Sequence, residues 1–125
     1  MGGYLIVFLG GGVGAAMRHG VNRASLAVLG PAFPYGTLIV NVLGGMLMGA
    51  LAELFLLKTG FSQEVRLFLT TGVMGGFTTF SAFSLDAALM WERSDFGPLA
   101  FYVAGSVVLS IGALFAGMAI VRALA

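Results

Sequence analysis

Gly72-Val-Met-Gly75-Gly76-Phe-Thr78-Thr79-Phe80-Ser81-Ala82-Phe83-Ser84 lies within a stretch that carries no charge from Leu67 to Leu85. A helix crossing the hydrocarbon core of a bilayer takes roughly 20 apolar residues, so this run has the length of a crossing. Gly72 to Ser84 also holds a glycine pair, four hydroxyls and three phenylalanines. Glycine pairs weaken helices, and hydroxyls can rebond the carbonyls that an interrupted helix frees. The stretch therefore predicts a third membrane helix that is broken or unwound around residues 74–79. Irregular backbone at membrane depth needs protein to bury it or a cavity to line, and its freed carbonyls suit a cation such as sodium. The competing expectation is an intact helix whose Ser and Thr bond back to their own turns.

Three more apolar runs lie outside this one. Tyr4 to Met17 ends at Arg18-His19, and with Gly2-Gly3 before it and one more turn towards Arg23 it is long enough to span. Gly36 to Leu57 follows Pro34-Tyr35, ends at Lys58, and contains Asn41 and Glu53. Pro98 to Val121 ends at Arg122. The expected spans are about 3–24, 36–57, 65–90 and 98–122. Connectors near 24–35, 58–64 and 91–97 hold the turn formers, Gly30-Pro31 and Gly97-Pro98 among them. Strands of a membrane barrel would read as alternating segments of about 10 residues, whereas these runs are continuous and far longer. The fold class is an all-α integral membrane protein with four transmembrane helices in a single domain, 1–125.

Composition agrees. Of 125 residues 59% are hydrophobic and 9% charged, against about 25% charged in a soluble domain, and the mean hydropathy is +1.04. Without cysteine there is no disulfide framework, thiolate metal site or catalytic thiol. A net charge of +1 without a basic run leaves nucleic acid no electrostatic footprint. The single histidine, His19, has no second imidazole or cysteine with which to hold zinc. No Lys or Arg precedes the first apolar run, so that segment is expected to stay rather than to be cleaved as a signal peptide. No nucleophile–base pair or metal cluster supports an enzyme.

Cytoplasmic loops normally carry an excess of Lys and Arg. With four spans, one side of the membrane holds Lys58, Arg66 and Arg122, and the other holds Arg18, Arg23 and Arg93. The bias is zero. Either another feature settles the orientation, or the protein inserts both ways round and two copies pair antiparallel, as an inverted repeat made from two chains. Four helices alone can hardly enclose a polar pathway and still close against lipid, so an oligomer is expected.

Glycines four apart, Gly10 and Gly14, Gly45 and Gly49, Gly72 and Gly76, lie on single helix faces where small residues let membrane helices approach. Phe80 and Phe83 share a face, and the positive edge of an aromatic ring can meet an anion without the grip of a full charge. Asn41, mid-span, offers an amide NH₂ to an anion or serves as interhelical glue. Ser106 and Ser110 put hydroxyls on one face of the fourth helix, one turn after Tyr102. Proton relays and cation exporters depend on intramembrane carboxylates. Here the candidate is Glu53, late in the second helix and near enough to an interface to snorkel. Arg18 either draws anions into an aqueous vestibule or anchors its helix at the interface. Donors without acids point to an uncharged anion path.

These residues resemble the CrcB/Fluc family of fluoride channels over essentially the whole chain. The resemblance is carried by Gly11-Gly12-Val-Gly14-Ala15-Ala-Met-Arg18, by Gly36-Thr37-Leu-Ile-Val-Asn41-Val-Leu-Gly44, and most specifically by Gly72 to Ser84; Tyr102 and Ser106 match more loosely. It implies an antiparallel dual-topology homodimer with two pores, in a bacterial inner membrane, through which fluoride leaks passively out of the cytoplasm. Phe80 and Phe83 would present ring edges to fluoride and Asn41 a donor, with Thr37, Tyr102 and Ser106 as further pore positions. It also implies a structural sodium ion at the dimer centre, held by the backbone carbonyls of Gly75 and Thr78. The chain departs from the family pattern at Ala82, where Thr is frequent, at Asp86, where Glu is frequent, and at His19, where an aromatic is usual. The Ala82 and Asp86 changes are expected to tune conduction.

Two other functions fit less well. A small multidrug-resistance-type cation exporter shares the length and the balanced charges but requires a carboxylate in the first helix, and Tyr4 to Met17 contains none. A non-transporting scaffold predicts no polar set at mid-span, against Asn41 and Thr78-Thr79-Phe80-Ser81.

Overall fold

The computed structural model describes residues 2–125. Its elements are α1 (Gly2–Leu29), α2 (Tyr35–Leu57), α3 (Gln63–Leu67), a π-helical segment (Phe68–Met74), α4 (Gly75–Phe77), α5 (Phe80–Glu92) and α6 (Phe96–Leu124). Among the described residues there is no strand. Four helical stretches, of 28, 23, 30 and 29 residues, are long and apolar enough to cross a membrane, the third being the joined series from Gln63 to Glu92. At 1.5 Å per residue each extends about 35–45 Å.

α1 runs beyond the expected end near residue 24, because nothing before Gly30 stops it. There the chain turns at a positive φ of 80° that glycine tolerates, and the Gly30 N–H closes the last turn on the Leu26 carbonyl at 3.0 Å. Arg18 lies well inside α1. α2 begins directly after Pro34, and its last turn closes where the Lys58 N–H donates to the Leu54 carbonyl at 2.8 Å. Ser62 caps α3, its hydroxyl accepting from the Val65 N–H at 3.2 Å, with Glu64 in the positive first turn.

The third span is the irregular one. A π-helical stretch, which fits an extra residue into the turn, leads into α4. Thr78 (φ −89°, ψ 157°) and Thr79 (φ −152°, ψ 122°) are then extended, and α5 starts at Phe80. Threonine suits such a joint because its branched side chain favours extended backbone and its hydroxyl serves as a cap. Thr79 Oγ1 accepts from the Ala82 N–H at 3.1 Å, while Thr78 Oγ1 donates back to the Met74 carbonyl at 3.0 Å.

Packing is backbone on backbone. α1 lies against the third span, where a methyl group on Gly14 would fall on the Val73 carbonyl and one on Gly76 on the carbonyl of Gly11. α2 lies along α6 by mutual approach, for a methyl on Gly49 would strike the Leu114 carbonyl and one on Gly117 the Met46 carbonyl. Glycine at these points gains dispersion and excludes lipid without needing a hydrophobic drive. Val40, Phe77, Met90 and Tyr102 are the most deeply buried large side chains.

Glu53 differs from the expectation that it would snorkel. It is 3% exposed, and Arg122 of α6 grips both its oxygens, Nε to Oε1 at 2.8 Å and a terminal nitrogen to Oε2 at 3.2 Å. A buried carboxylate needs a partner with matching donors, and the guanidinium fork supplies one.

Candidate functional site

Side chains from two neighbouring helices hold the joint. Asn41 of α2 lies beside Thr79 and pairs with it in both directions: its Nδ2 donates to the Thr79 carbonyl at 3.0 Å, and the Thr79 N–H donates to its Oδ1 at 2.8 Å. The amide thereby replaces, for one residue, the bonds that extended backbone would find in a sheet. From the other side Arg18 of α1 donates its Nε to the Gly76 carbonyl at 3.0 Å. In a continuous helix that oxygen would accept from the N–H of residue 80. Among the described residues no hydrogen bond reaches the carbonyls of Gly75 or Thr78, and Gly75 is exposed on the outer face of the chain.

In front of the joint opens a groove of about 350 Å³ lined by Asn41, Thr78, Thr79, Phe80, Phe83, Ser106 and Ser110. Ser106 Oγ and Ser110 Oγ are buried there without a hydrogen-bond partner. Among the described residues no ionisable side chain lines it. Phe80 is 79% exposed, its ring centre 5.5 Å from that of Phe83. Phe83 in turn lies 5.1 Å from Tyr102, and Tyr102 meets Phe33 edge-on at 5.5 Å and 87°. A series of four rings thus runs from the joint to the α1–α2 connection. Beyond it a second cavity of about 420 Å³ is bounded by α1, that connection, α2 and α5, with Asn22, Ser25, Thr37, Ala82 and Asp86 in its wall. The Tyr102 hydroxyl donates to Asp86 Oδ2 at 3.0 Å.

Of the residues singled out from the sequence, Asn41, Phe80, Phe83 and Ser106 meet in one groove. Tyr102 joins them through the Phe83 ring, and Thr37, buried, lines the second cavity. Gly75 and Thr78 lie at the joint. Arg18 lines neither cavity; it is bound behind the joint. The sequence signal for Ser110 was its spacing from Ser106. Phe33 and the partnership of Asp86 with Tyr102 had no such signal, since their partners lie on other elements. Hydroxyls, an amide and ring edges can replace the water around a small anion, while backbone oxygens suit a cation.

Four crossing helices, with an uncharged groove of rings, aliphatic side chains, hydroxyls and an amide at a joint in the third, define a multi-pass membrane protein. The chain belongs to the CrcB family: the family model described as CrcB-like protein, Camphor Resistance (CrcB), matches residues 5–118. It is similar to the fluoride-specific ion channel FluC of Rhodopseudomonas palustris, with 59% identity covering 97% of this chain and 98% of that one. The fluoride-specific ion channel FluC 2 of Nitrobacter hamburgensis is 51% identical over 95% of this chain and 96% of its own. The FluC of Methylobacterium nodulans is 52% identical over 94% of each.

Proposed function

We propose that this chain forms a fluoride channel of the bacterial inner membrane, through which fluoride leaves the cytoplasm passively. The observation that carries this reading is identity of more than half the residues, over nearly the whole length, to proteins named fluoride-specific ion channels. The groove chemistry supports it. Fluoride is small and strongly hydrated, so its path must offer donors in place of water yet release the ion. The unpartnered hydroxyls of Ser106 and Ser110 and the edges of Phe80 and Phe83 offer that without a cationic trap. Acid outside favours HF, which crosses the bilayer and dissociates within; a passive exit for the ion then suffices.

The working unit in this reading is an antiparallel homodimer, with the joint serving as a break in the third helix. With Arg18 held inside α1 at the joint, three cations remain on one side and two on the other, too small a bias to fix an orientation. Near the joint the third span exposes the hydroxyl residues Thr71, Ser81 and Ser84 beside Gly75 and Phe80, hydroxyls that a partner helix would satisfy better than lipid. A structural sodium ion fits the same place. The carbonyls of Gly75 and Thr78 are left without hydrogen bonds, and two chains would bring four such oxygens together. Bound there, sodium would supply charge to hold the two joints together.

Protein reconstituted in liposomes loaded with fluoride or chloride tests the proposal. Fluoride is expected to escape quickly and chloride hardly at all, and Phe80→Ile or Phe83→Ile to cut the fluoride flux while the protein stays folded. Equal efflux of the two anions, or none of either, would overturn it.

A further inference from the structure

The carbonyls around the joint are not equivalent. Those of Gly76 and Thr79 are taken, by Arg18 and Asn41. Among the described residues those of Gly75, Phe77 and Thr78 accept no such bond. We infer that Arg18 is a positioning residue: by binding the Gly76 carbonyl behind the joint, it withholds that oxygen from the set left for a cation, to which those of Gly75 and Thr78 belong. This rests on the reading of a sodium site at the joint and adds to it the residue that keeps one oxygen out of the site.

The geometry that permits this starts with glycine. Gly76 lets the third span touch α1 backbone to backbone, since a Cβ there would fall on the Gly11 carbonyl and within 3.0 Å of the Ala15 nitrogen. Arg18 follows Ala15 by three residues, so it projects from the same face of α1 and reaches the oxygen one turn along. An unpaired carbonyl at membrane depth does not stay unpaired. Without Arg18, the Gly76 oxygen would either recover the N–H of Phe80, drawing the joint back into helix, or turn outward and compete with its neighbours as a ligand. Both alter the ligand set. In this account the donor at Nε matters and the positive charge is incidental, the opposite of what a vestibule that draws anions by charge requires.

The two are separable because glutamine carries its amide nitrogen as many bonds from the backbone as arginine carries Nε. Arg18→Gln keeps a donor and drops the charge, Arg18→Met drops both, and Arg18→Lys keeps the charge but moves the donor outward. Each purified protein in detergent, freed of sodium in N-methylglucamine buffer, is titrated with NaCl while thermal unfolding is followed through the single Trp91. A cation that binds only the folded state raises the unfolding temperature with concentration. Arg18→Gln is expected to need sodium within about threefold of the native requirement, and Arg18→Met about tenfold more or higher. If Arg18→Met does not fold, Arg18→Lys decides, with a raised requirement expected. A requirement in Arg18→Gln raised as far as in Arg18→Met or Arg18→Lys, or an unchanged one in Arg18→Met, overturns the inference. Native protein whose unfolding ignores sodium while it still conducts fluoride overturns the cation site itself, and this inference with it.

Discussion

Replacing Asn41 with alanine tests the joint directly. The substitution removes two hydrogen bonds at once, 3.0 Å and 2.8 Å long, and leaves both the N–H and the carbonyl of Thr79 without partners in a part-buried position. A buried backbone group left unsatisfied costs about 1–3 kcal/mol, so the pair costs about 2–6. Interhelical bonds in membranes average only about 0.6 kcal/mol, because the disrupted state finds other partners; two such bonds give a lower bound near 1 kcal/mol. Thr79 has few substitutes within reach, since its own hydroxyl is engaged with the Ala82 N–H. A loss of about 3 kcal/mol is therefore expected, roughly a 150-fold change in the folding equilibrium. Reversible unfolding in mixed micelles measures it, and liposome efflux measures its effect on transport. Asn41→Asp sharpens the test by keeping the acceptor for the Thr79 N–H while facing the Thr79 carbonyl with a second oxygen and adding negative charge to the groove. It is expected to be more stable than Asn41→Ala where the carboxyl is protonated and can donate to the Thr79 carbonyl as the amide did, and to lose that margin and pass less fluoride where it is ionised. Stability of Asn41→Ala within about 0.5 kcal/mol of native would refute the role of the pair in holding the joint.

Gly117→Ala sets a methyl group against the Met46 carbonyl and is expected to cost about 1–3 kcal/mol by overpacking. Gly60→Ala, which meets nothing within 4 Å, serves as its control in the same unfolding measurement. The Glu53–Arg122 pair is asymmetric, with side chains 4% and 59% exposed. Losing Arg122 strands a buried carboxylate, whereas losing Glu53 frees a guanidinium that already reaches solvent. Arg122→Met should therefore lower the unfolding temperature more than Glu53→Gln does; the reverse order would show that the pair is not what keeps Glu53 buried.

Much of the fold was legible because charge is so scarce here. Each gap in the charges marks one crossing, and four gaps became four helices. What escaped notice depends on partners distant in sequence. Arg18 reads as an anchor or as the wall of a vestibule until the Gly76 carbonyl, 58 residues away, is seen to receive its Nε. Glu53 reads as a snorkelling acid until Arg122, 69 residues on, is brought over it. In the third span the glycine pair drew attention, but Gly75 and Gly76 stay helical and Gly76 serves the approach of α1. The extended residues are the two threonines after it. Small side chains indicated where helices touch, and branched, hydroxyl-bearing ones where the chain changes direction. The groove set was visible as polar residues on membrane faces; the bond of Tyr102 to Asp86 beyond it was not, since that bond joins α5 to α6.

The π-helical segment from Phe68 to Met74 has a consequence of its own. An α-helix turns about 100° per residue, so one residue taken up by a wider turn shifts the angular phase of everything after it by that amount relative to everything before. That shift reaches as far as α4, beyond which the two extended threonines set the direction of Phe80 and Phe83 anew. Gly72 within the segment and Gly76 just after it both meet α1, so the wider turn is what lets the two approaches share one neighbour. Shortening this segment by a single residue would swing Gly76 off Gly11 and carry the joint round with it, although no groove residue had been touched.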